Sequence, residues 1–243
     1  MDIVGNNELK KQLSMINDNA EAYRIGAVPV PNFVLNIRDG EGQTTVAEYI
    51  TYFLYKNRLR SFCGLDNLLE YRLDGSLKQL KKVFESIHGH AVYTNEFYGV
   101  ISISIAQLYL CSNEYQVDYF LEEIVKVAEH ATIIIFYDDS LGKKMDQVKN
   151  RVVEVLNCQD IVSHYTTSDL ASILTNIIIE KGIDLERGKE MDNLLRSIVE
   201  DANATSVKAV LKLAETFVFY ADYTNFIPRL DAKMISKHIS NIK

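Results

Sequence analysis

One short segment of the chain carries side chains whose types and spacing suit phosphate chemistry. Its members are Gly40, Gly42, Gln43, Thr44 and Thr45. Glycines in such a loop let backbone N–H groups approach a phosphate, and a hydroxyl at the start of the following helix can hold magnesium. The full G-x-x-x-x-G-K-[ST] pattern also needs a first glycine and a lysine, and this chain has Ile37 and Gln43 at those positions.

The missing lysine lowers the nucleotide affinity that the loop predicts. A charged hydrogen bond contributes ~1.5 to 3 kcal/mol, so a neutral amide at Gln43 weakens phosphate binding by ~10 to 100-fold. Asp39 and Glu41 add negative charge where a triphosphate would lie. An ordinary glycine turn between a strand and a helix explains the same residues, and the loop alone leaves both interpretations open.

The elements around the loop predict its position in the fold. Short β-branched runs and amphipathic helices alternate, which is typical of a parallel sheet covered by helices. The pattern predicts strands at Phe33–Ile37, Tyr98–Leu110 and Ala131–Asp139, and helices at Thr44–Arg60, from Ser76 to near Gly89, and at Glu114–His130.

After Tyr165 the pattern predicts helices only. They are expected at Ser168–Lys181, Asp184–Asp201 and Ser206–Ala221. The predicted fold class is therefore α/β, with a parallel-sheet core over residues 1–165 and an all-helical lid over 166–243.

Composition and charge limit the classes of function. The 243 residues are 47% hydrophobic and carry a net charge of -7, which disfavours nucleic acid as a partner. No leader pattern and no apolar run of ~18 residues is present, so a cytoplasmic protein without a membrane partner is expected. Cys63, Cys111 and Cys158 are few and far apart, which predicts reduced thiols.

Two other groups of residues could bind a metal. His88 and His90 flank Gly89, but no further ligand lies at a suitable spacing, and a helix-end glycine explains the segment. Asp138 and Asp139 follow a predicted strand, where a solvated loop is the simpler interpretation. No metal site is expected.

Five segments, in order, carry a resemblance to a known family. "DIVGNNELKKQL" followed by "VPNFVLNIRDGEGQTTVAEYI" resembles the opening of AAA+ ATPases, in particular the group of the red-type Rubisco activases and the sporulation stage V ATPase. "YGVISISIAQLYL" is similar to their Walker B strand and "ATIIIFYDDSLGKKMD" to their sensor-1 strand. "HYTTSDLASIL" resembles the start of their helical lid, and "NATSVKAVLKLA" resembles their sensor-2 helix.

The resemblance implies that most functional positions of the family are changed. The magnesium-holding aspartate falls on Ser104 and the water-orienting glutamate on Ile105, which cannot act as a base. The sensor-2 arginine falls on Thr205, with Lys208 one turn further on as a substitute.

Two further positions of the family have candidates in this chain. Sensor 1 falls on Tyr137 or Asp138, and the arginine finger falls on Arg151, for which a solvated helix arginine is an equal alternative.

The expected function is that of a pseudo-ATPase. No catalytic residue is assigned, no cofactor is expected, and ATP or ADP would bind weakly if at all. The implied partners are proteins, either copies of this chain in a ring or an active AAA+ paralogue that it organises or regulates. The alternatives are a weak ATP-binding enzyme that remodels a protein partner, with Arg38 or Lys208 supplying charge, and a clamp-loader-like subunit on DNA, which the net charge disfavours.

Overall fold

The computed structural model describes residues 3–60, 68–94, 99–108, 114–162, 165–224 and 226–238. They divide into two compact units. The first comprises Ile3 and the described part of 7–162, and the second comprises 4–6 and the described part of 165–238. Cys63, Cys111 and both ends of the predicted strand Tyr98–Leu110 lie outside the described residues.

A parallel sheet forms the centre of the first unit. In the described residues it has five strands: β1 (Phe33–Asn36), β2 (Leu68–Arg72), β3 (Val100–Ser104), β4 (Thr132–Tyr137) and β5 (Asp160–Val162). Their order across the sheet is β2-β3-β4-β1-β5, and every neighbouring pair is parallel. The predicted α/β fold with a parallel-sheet core is confirmed.

Helices precede the first of these strands and connect the strands to one another. They are α1 (Asn7–Asp18), α2 (Ala20–Arg24), α3 (Gln43–Lys56), α4 (Leu77–Thr94), α5 (Glu114–Ala128) and α6 (Lys143–Leu156). Their apolar positions recur at helical spacing, as in Val117, Phe120, Leu121 and Ile124 of α5, so each presents one buried face to the sheet.

The sheet separates two hydrophobic cores, because successive side chains of a strand point to opposite faces. Val34, Ile133 and Ile135 pack in the core formed with α4, α5 and α6. Their neighbours along the strands pack in the core formed with α1 and α3, namely Phe33, Leu35, Ile134 and Phe136. A sheet covered on both faces explains why its strands read as continuous apolar runs.

The second unit is built around helices. They are α7 (Thr167–Glu180), α8 (Lys189–Asp201), α9 (Val207–Tyr220) and α10 (Ala232–His238), and a two-stranded parallel pair joins β6 (Asp184–Leu185) to β7 (Arg229–Leu230). α7 begins with a capping box in which Thr166 and Asp169 each accept the other's backbone N–H. One core of buried apolar residues, including Leu174, Leu195 and Phe217, holds the unit together.

Three predictions about the elements are wrong in detail. α4 does not end near Gly89 but continues to Thr94, because Gly89 does not take the left-handed conformation with which glycine closes a helix. The region after Tyr165 contains two short strands besides its helices. The helix expected from Asp184 starts at Lys189, since β6 occupies the first residues of that stretch. No described helix has the length and hydropathy needed to cross a membrane.

Candidate functional site

The candidate site lies where the carboxyl ends of β1 and β4 meet. These two strands are neighbours in the sheet. The chain leaves β1 towards α3, which packs in one core, and leaves β4 towards α6, which packs in the other. Connections that depart to opposite faces open a crevice between the two strand ends, and parallel α/β sheets bind ligands at such a point.

The loop between β1 and α3 has the backbone of a glycine-dependent turn. Gly40 and Gly42 have φ angles of 81° and 88°, in the left-handed region that favours glycine. The N–H of Glu41 donates to the Arg38 carbonyl oxygen at 3.0 Å, and α3 starts directly after Gly42. The predicted loop residues therefore lie together at the N-terminus of a helix, where the first backbone N–H groups have no partner within the helix.

Gln43 closes this loop on itself. Its side chain is buried, and its Nε2 donates to the carbonyl oxygen of Ile37 at 2.6 Å. The amide at the lysine position is therefore engaged with the backbone of its own loop. Thr44 and Thr45, in contrast, are exposed on the first turn of α3.

Ion pairs bridge the crevice from β1 to β4. Arg38 Nε lies 3.2 Å from Asp138 Oδ1, and an Nη atom of Arg38 lies 3.5 Å from Asp139 Oδ1. The backbone N–H of Asp139 also donates to Asn36 Oδ1 at 3.3 Å. The arginine that could supply charge to a phosphate thus lies against two carboxylates.

A second ion pair joins the loop to the carboxyl end of β2, the edge strand of the sheet. An Nη atom of Arg72, the last residue of β2, lies 3.0 Å from Asp39 Oδ1. With Glu41 also on the loop, the acidic side chains here outnumber the two arginines by two. The loop surroundings therefore carry net negative charge, which repels a triphosphate.

The end of β3 holds the two positions at which the family resemblance places the magnesium ligand and the base. Ser104 is the last residue of β3 and is 8% exposed. Ile105 continues the ladder by donating its N–H to the Phe136 carbonyl oxygen at 2.9 Å, and its side chain is fully buried in the core shared with α4 and α5. A hydroxyl and a buried alkyl group offer neither an anionic metal ligand nor a proton acceptor.

Tyr137, one of the two sensor-1 candidates, is tied to β5. Its hydroxyl donates to Asp160 Oδ1 at 2.7 Å, and Lys149 Nζ lies 2.9 Å from Asp160 Oδ2. Burial, followed by the hydrogen bond to Asp160, raises the pKa of the Tyr137 phenol well above its usual range. The other candidate, Asp138, accepts the backbone N–H of Ser140 at 2.9 Å and caps the turn Asp139–Leu141.

The two remaining predicted site residues belong to helices other than the one that follows the loop. Arg151 on α6 pairs with Asp118 on α5, and both side chains are about half exposed. Lys208 is exposed on the first turn of α9, in the second unit, and Thr205 is exposed just before that helix. Their roles as arginine finger and sensor-2 substitute stay predictions.

The candidate metal ligands whose side chains the structure describes do not form a centre, and the side chain of His90 lies outside that description. His88 Nε2 lies 2.8 Å from Glu123 Oε2, a contact between α4 and α5. Within the described ranges, no three His, Cys, Asp or Glu side chains are grouped so as to hold a metal ion. Cys158 is a free thiol, and burial followed by the charge of Asp160 raises its pKa to about 12.

These side chains do not fit a magnesium triphosphate that is to be hydrolysed. The loop offers backbone donors and the Thr44 hydroxyl, but the Gln43 amide is bonded to Ile37 and the nearby guanidinium groups are paired with carboxylates. Sequence reasoning located Arg38 and Asp138 but missed their pairing. Their positions directly after β1 and β4 would have indicated it, had the adjacency of those strands been known.

Comparisons with known proteins identify the fold. RuvB from Thermotoga maritima superposes with a TM-score of 0.58 at 14% identity, over 98% of this chain and 70% of RuvB. Katanin gives a TM-score of 0.54 at 16% identity, over 97% and 77%. Domain III of the Thermotoga maritima replication initiation protein DnaA gives 0.52 at 13%, over 95% and 92%. No protein-family model and no curated protein sequence matches the chain. The chain therefore has the fold of AAA+ ATPases.

Proposed function

We propose that this chain is a catalytically impaired AAA+ module, a pseudo-ATPase that works by assembling with other proteins in the cytoplasm. The observation that carries the proposal is the Gln43 amide bonded to the Ile37 carbonyl, where a hydrolysing loop needs a free cation. The buried Ile105 adds to this, because no carboxylate stands at the end of β3 to orient an attacking water.

The proposal gives the chain a place in an oligomer. Katanin, whose fold is similar, self-assembles. By analogy, this module packs beside copies of itself or beside an active AAA+ paralogue, as an organising or regulatory subunit. A closer kinship with the red-type Rubisco activase and sporulation stage V group is part of the same proposal and rests on the five sequence segments.

Nucleotide binding and turnover test the catalytic half of the proposal. Isothermal titration with ATP and with ADP, and phosphate release in the presence of magnesium, are measured on the purified chain and on Gln43→Lys. We expect no phosphate release from either protein, and binding to the variant ~10 to 100-fold tighter than to the wild type. Gln147→Lys, on the exposed face of α6, controls for a general effect of added charge.

Two outcomes separate this proposal from the weak-enzyme alternative. Tight ATP binding with steady phosphate release by the wild type would overturn the pseudo-ATPase. ATP hydrolysis that appears only in Gln43→Lys would show that hydrolysis does not need a carboxylate at Ser104 or Ile105. That result would overturn the argument that the end of β3 prevents catalysis.

The oligomeric state of the chain tests the proposed role in assembly. Sedimentation velocity over a range of concentrations, with and without ATP, is expected to show an oligomer that nucleotide does not change. Where the chain sediments as a monomer, a pull-down from the native cell is expected to recover an AAA+ protein in a complex of defined size. A monomer with no AAA+ partner would refute the proposed role in assembly.

A further inference from the structure

A pocket of about 420 Å³ lies at the end of the sheet opposite the loop. It is formed by the last turns of α1, the segment just before β1 and the segment between α6 and β5, all in the first unit. Asn32 lines it immediately before β1, whereas the glycine loop follows that strand. The pocket is therefore separate from the candidate site described above.

The pocket is lined by carboxamides and apolar groups. Its carboxamide residues are Gln12, Asn19, Asn32, Asn157 and Gln159. Met15, Ile16 and Pro31 supply apolar surface. A volume of this size, with apolar walls and a few polar groups, suits a small organic molecule.

No lining residue is charged at neutral pH. Besides the carboxamides and apolar side chains, the lining contains Tyr23 and Cys158. Burial and the nearby Asp160 raise the pKa of the Cys158 thiol to about 12, so it is protonated. An anion entering the pocket would lose hydration without meeting a cationic lining side chain, so the lining selects against anions.

The carboxamides use only part of their hydrogen-bonding capacity on the protein. Gln12 Nε2 donates to Gln159 Oε1 at 2.7 Å, which leaves one carboxamide oxygen and one NH₂ group of this pair available within the described part of the chain. Asn19 Nδ2 donates to the Met15 carbonyl oxygen at 2.8 Å, which leaves Asn19 Oδ1. Asn32 Oδ1 accepts the Ile133 N–H at 2.8 Å, which leaves Asn32 Nδ2.

The remaining groups are a mixed set of donors and acceptors. If the side-chain amides of both Gln12 and Gln159 were turned so that O and N change places, the pair would still have one NH₂ donor group and one oxygen acceptor available. An amide is an uncharged group that can pair with both kinds, because it presents a C=O acceptor and an N–H donor together.

From this lining we infer that the pocket binds a small uncharged ring compound that carries a carboxamide or a cyclic amide. The ring lies against the apolar surface of Met15, Ile16 and Pro31. The amide bonds to the atoms that the Gln12 and Gln159 pair leaves available. This inference does not depend on whether the chain binds or hydrolyses a nucleotide.

Three probes test the inference on the full chain. Nicotinamide is an uncharged aromatic carboxamide, and nicotinate has nearly the same shape with a carboxylate instead. Uracil, a cyclic amide, is used alongside. For ligands of this size we expect a Kd on the order of 1 mM for nicotinamide or uracil by isothermal titration, and binding of nicotinate at least about tenfold weaker.

Substitutions place the binding in this pocket. Gln12→Ala and Gln159→Ala are each expected to weaken binding by about tenfold, whereas Gln147→Ala, on the exposed face of α6, leaves it unchanged. Side-chain amide signals of Asn and Gln in ¹⁵N NMR spectra report whether each variant stays folded and whether the lining carboxamides shift on titration.

Three results would overturn the inference. They are failure of both nicotinamide and uracil to bind at concentrations well above that Kd, equal affinity for nicotinate, and binding that persists unchanged in both pocket variants. Binding that the variants abolish together with the discrimination against nicotinate would support it.

Discussion

At the scale of single residues, Gln43 explains most about the candidate site. Its side chain reaches back to the carbonyl oxygen of Ile37 and donates a hydrogen bond of 2.6 Å. Because the side chain is buried, this bond contributes to the stability of the loop. A buried carbonyl oxygen that loses its donor costs about 1 to 3 kcal/mol, which exceeds the net value of an ordinary exposed hydrogen bond. Gln43 therefore stabilises the loop in a form in which the amide at the lysine position is engaged with Ile37.

The first prediction concerns the stability that this bond supplies. Gln43→Leu keeps an apolar stem of similar length but removes the donor to the Ile37 carbonyl. We expect the free energy of unfolding to fall by about 1 to 2 kcal/mol, measured by urea denaturation followed by circular dichroism. Gln147→Leu, at an exposed position of α6, is the matched control and should change it by less than about 0.5 kcal/mol. Equal effects of the two substitutions would mean that the loop bond contributes nothing specific.

At the scale of elements, α4 and α5 are joined by a partly buried polar contact. Glu123 on α5 accepts from Lys126 at 2.6 Å and lies 2.8 Å from His88 on α4, while Phe84 packs beside them against Phe120. Burial acts to raise the pKa of Glu123, but the hydrogen bonds from Lys126 and His88 outweigh it and lower the pKa. The ionised carboxylate therefore stabilises the folded state.

The second prediction is the pH dependence of that contact. A carboxyl whose folded-state pKa lies below its unfolded-state pKa stabilises the fold above the unfolded value, and this contribution is lost as the pH falls through the folded value. Glu123→Gln should therefore lower the urea midpoint at neutral pH, and the gap to the wild type should close in acid. Glu122→Gln, at an exposed position of the same helix, serves as the control. A gap that stays constant with pH would show that the charge of Glu123 is not what stabilises the pair.

The elements also show what could be predicted from the sequence. β1, β3 and β4 were found because strands buried on both faces read as unbroken apolar runs. β5 has three residues, and β6 and β7 have two each, so no periodicity could develop in them. The extra turn of α4 was missed because a glycine ends a helix only in the left-handed conformation, which its residue type does not dictate.

At the scale of the whole molecule, each unit has a hydrophobic core of its own. The cores on the two faces of the sheet belong to the first unit, and the core around Leu195 belongs to the second. Units with separate cores can open separately, and amide hydrogen exchange reports the free energy of each opening.

The third prediction follows from this division. Leu195→Ala removes a fully buried side chain from the second unit and should cost that unit about 2 to 5 kcal/mol. Amide exchange should become faster in α7, α8 and α9 and stay unchanged in β1, β3 and β4. Leu80→Ala, in the core beside α4, is the reciprocal variant and should give the opposite pattern. Faster exchange in both units from either substitution would argue against separate opening.

The candidate site could be predicted from the sequence only in part. The positions of Gly40 and Gly42 follow from local turn chemistry, and both have the positive φ angles that such a turn requires. The ion pair between Arg38 and Asp138 could not be predicted in the same way, because their closeness depends on β1 lying beside β4, and that order is a property of the assembled sheet. The hydrogen bond from the Gln43 amide to Ile37 depends on the burial of that side chain, and burial cannot be read from the residue types alone.

The bond between Gln43 and Ile37 also bears on how such a chain can change over generations. A mutation to lysine would replace the buried neutral amide that donates to the Ile37 carbonyl by a charged group, and it would still leave Ser104 and Ile105 without a carboxylate. This step towards a hydrolysing site would thus lower stability without supplying the carboxylates that hydrolysis needs. Selection acting one codon at a time would oppose that step, so the hydrogen bond favours the retention of Gln43.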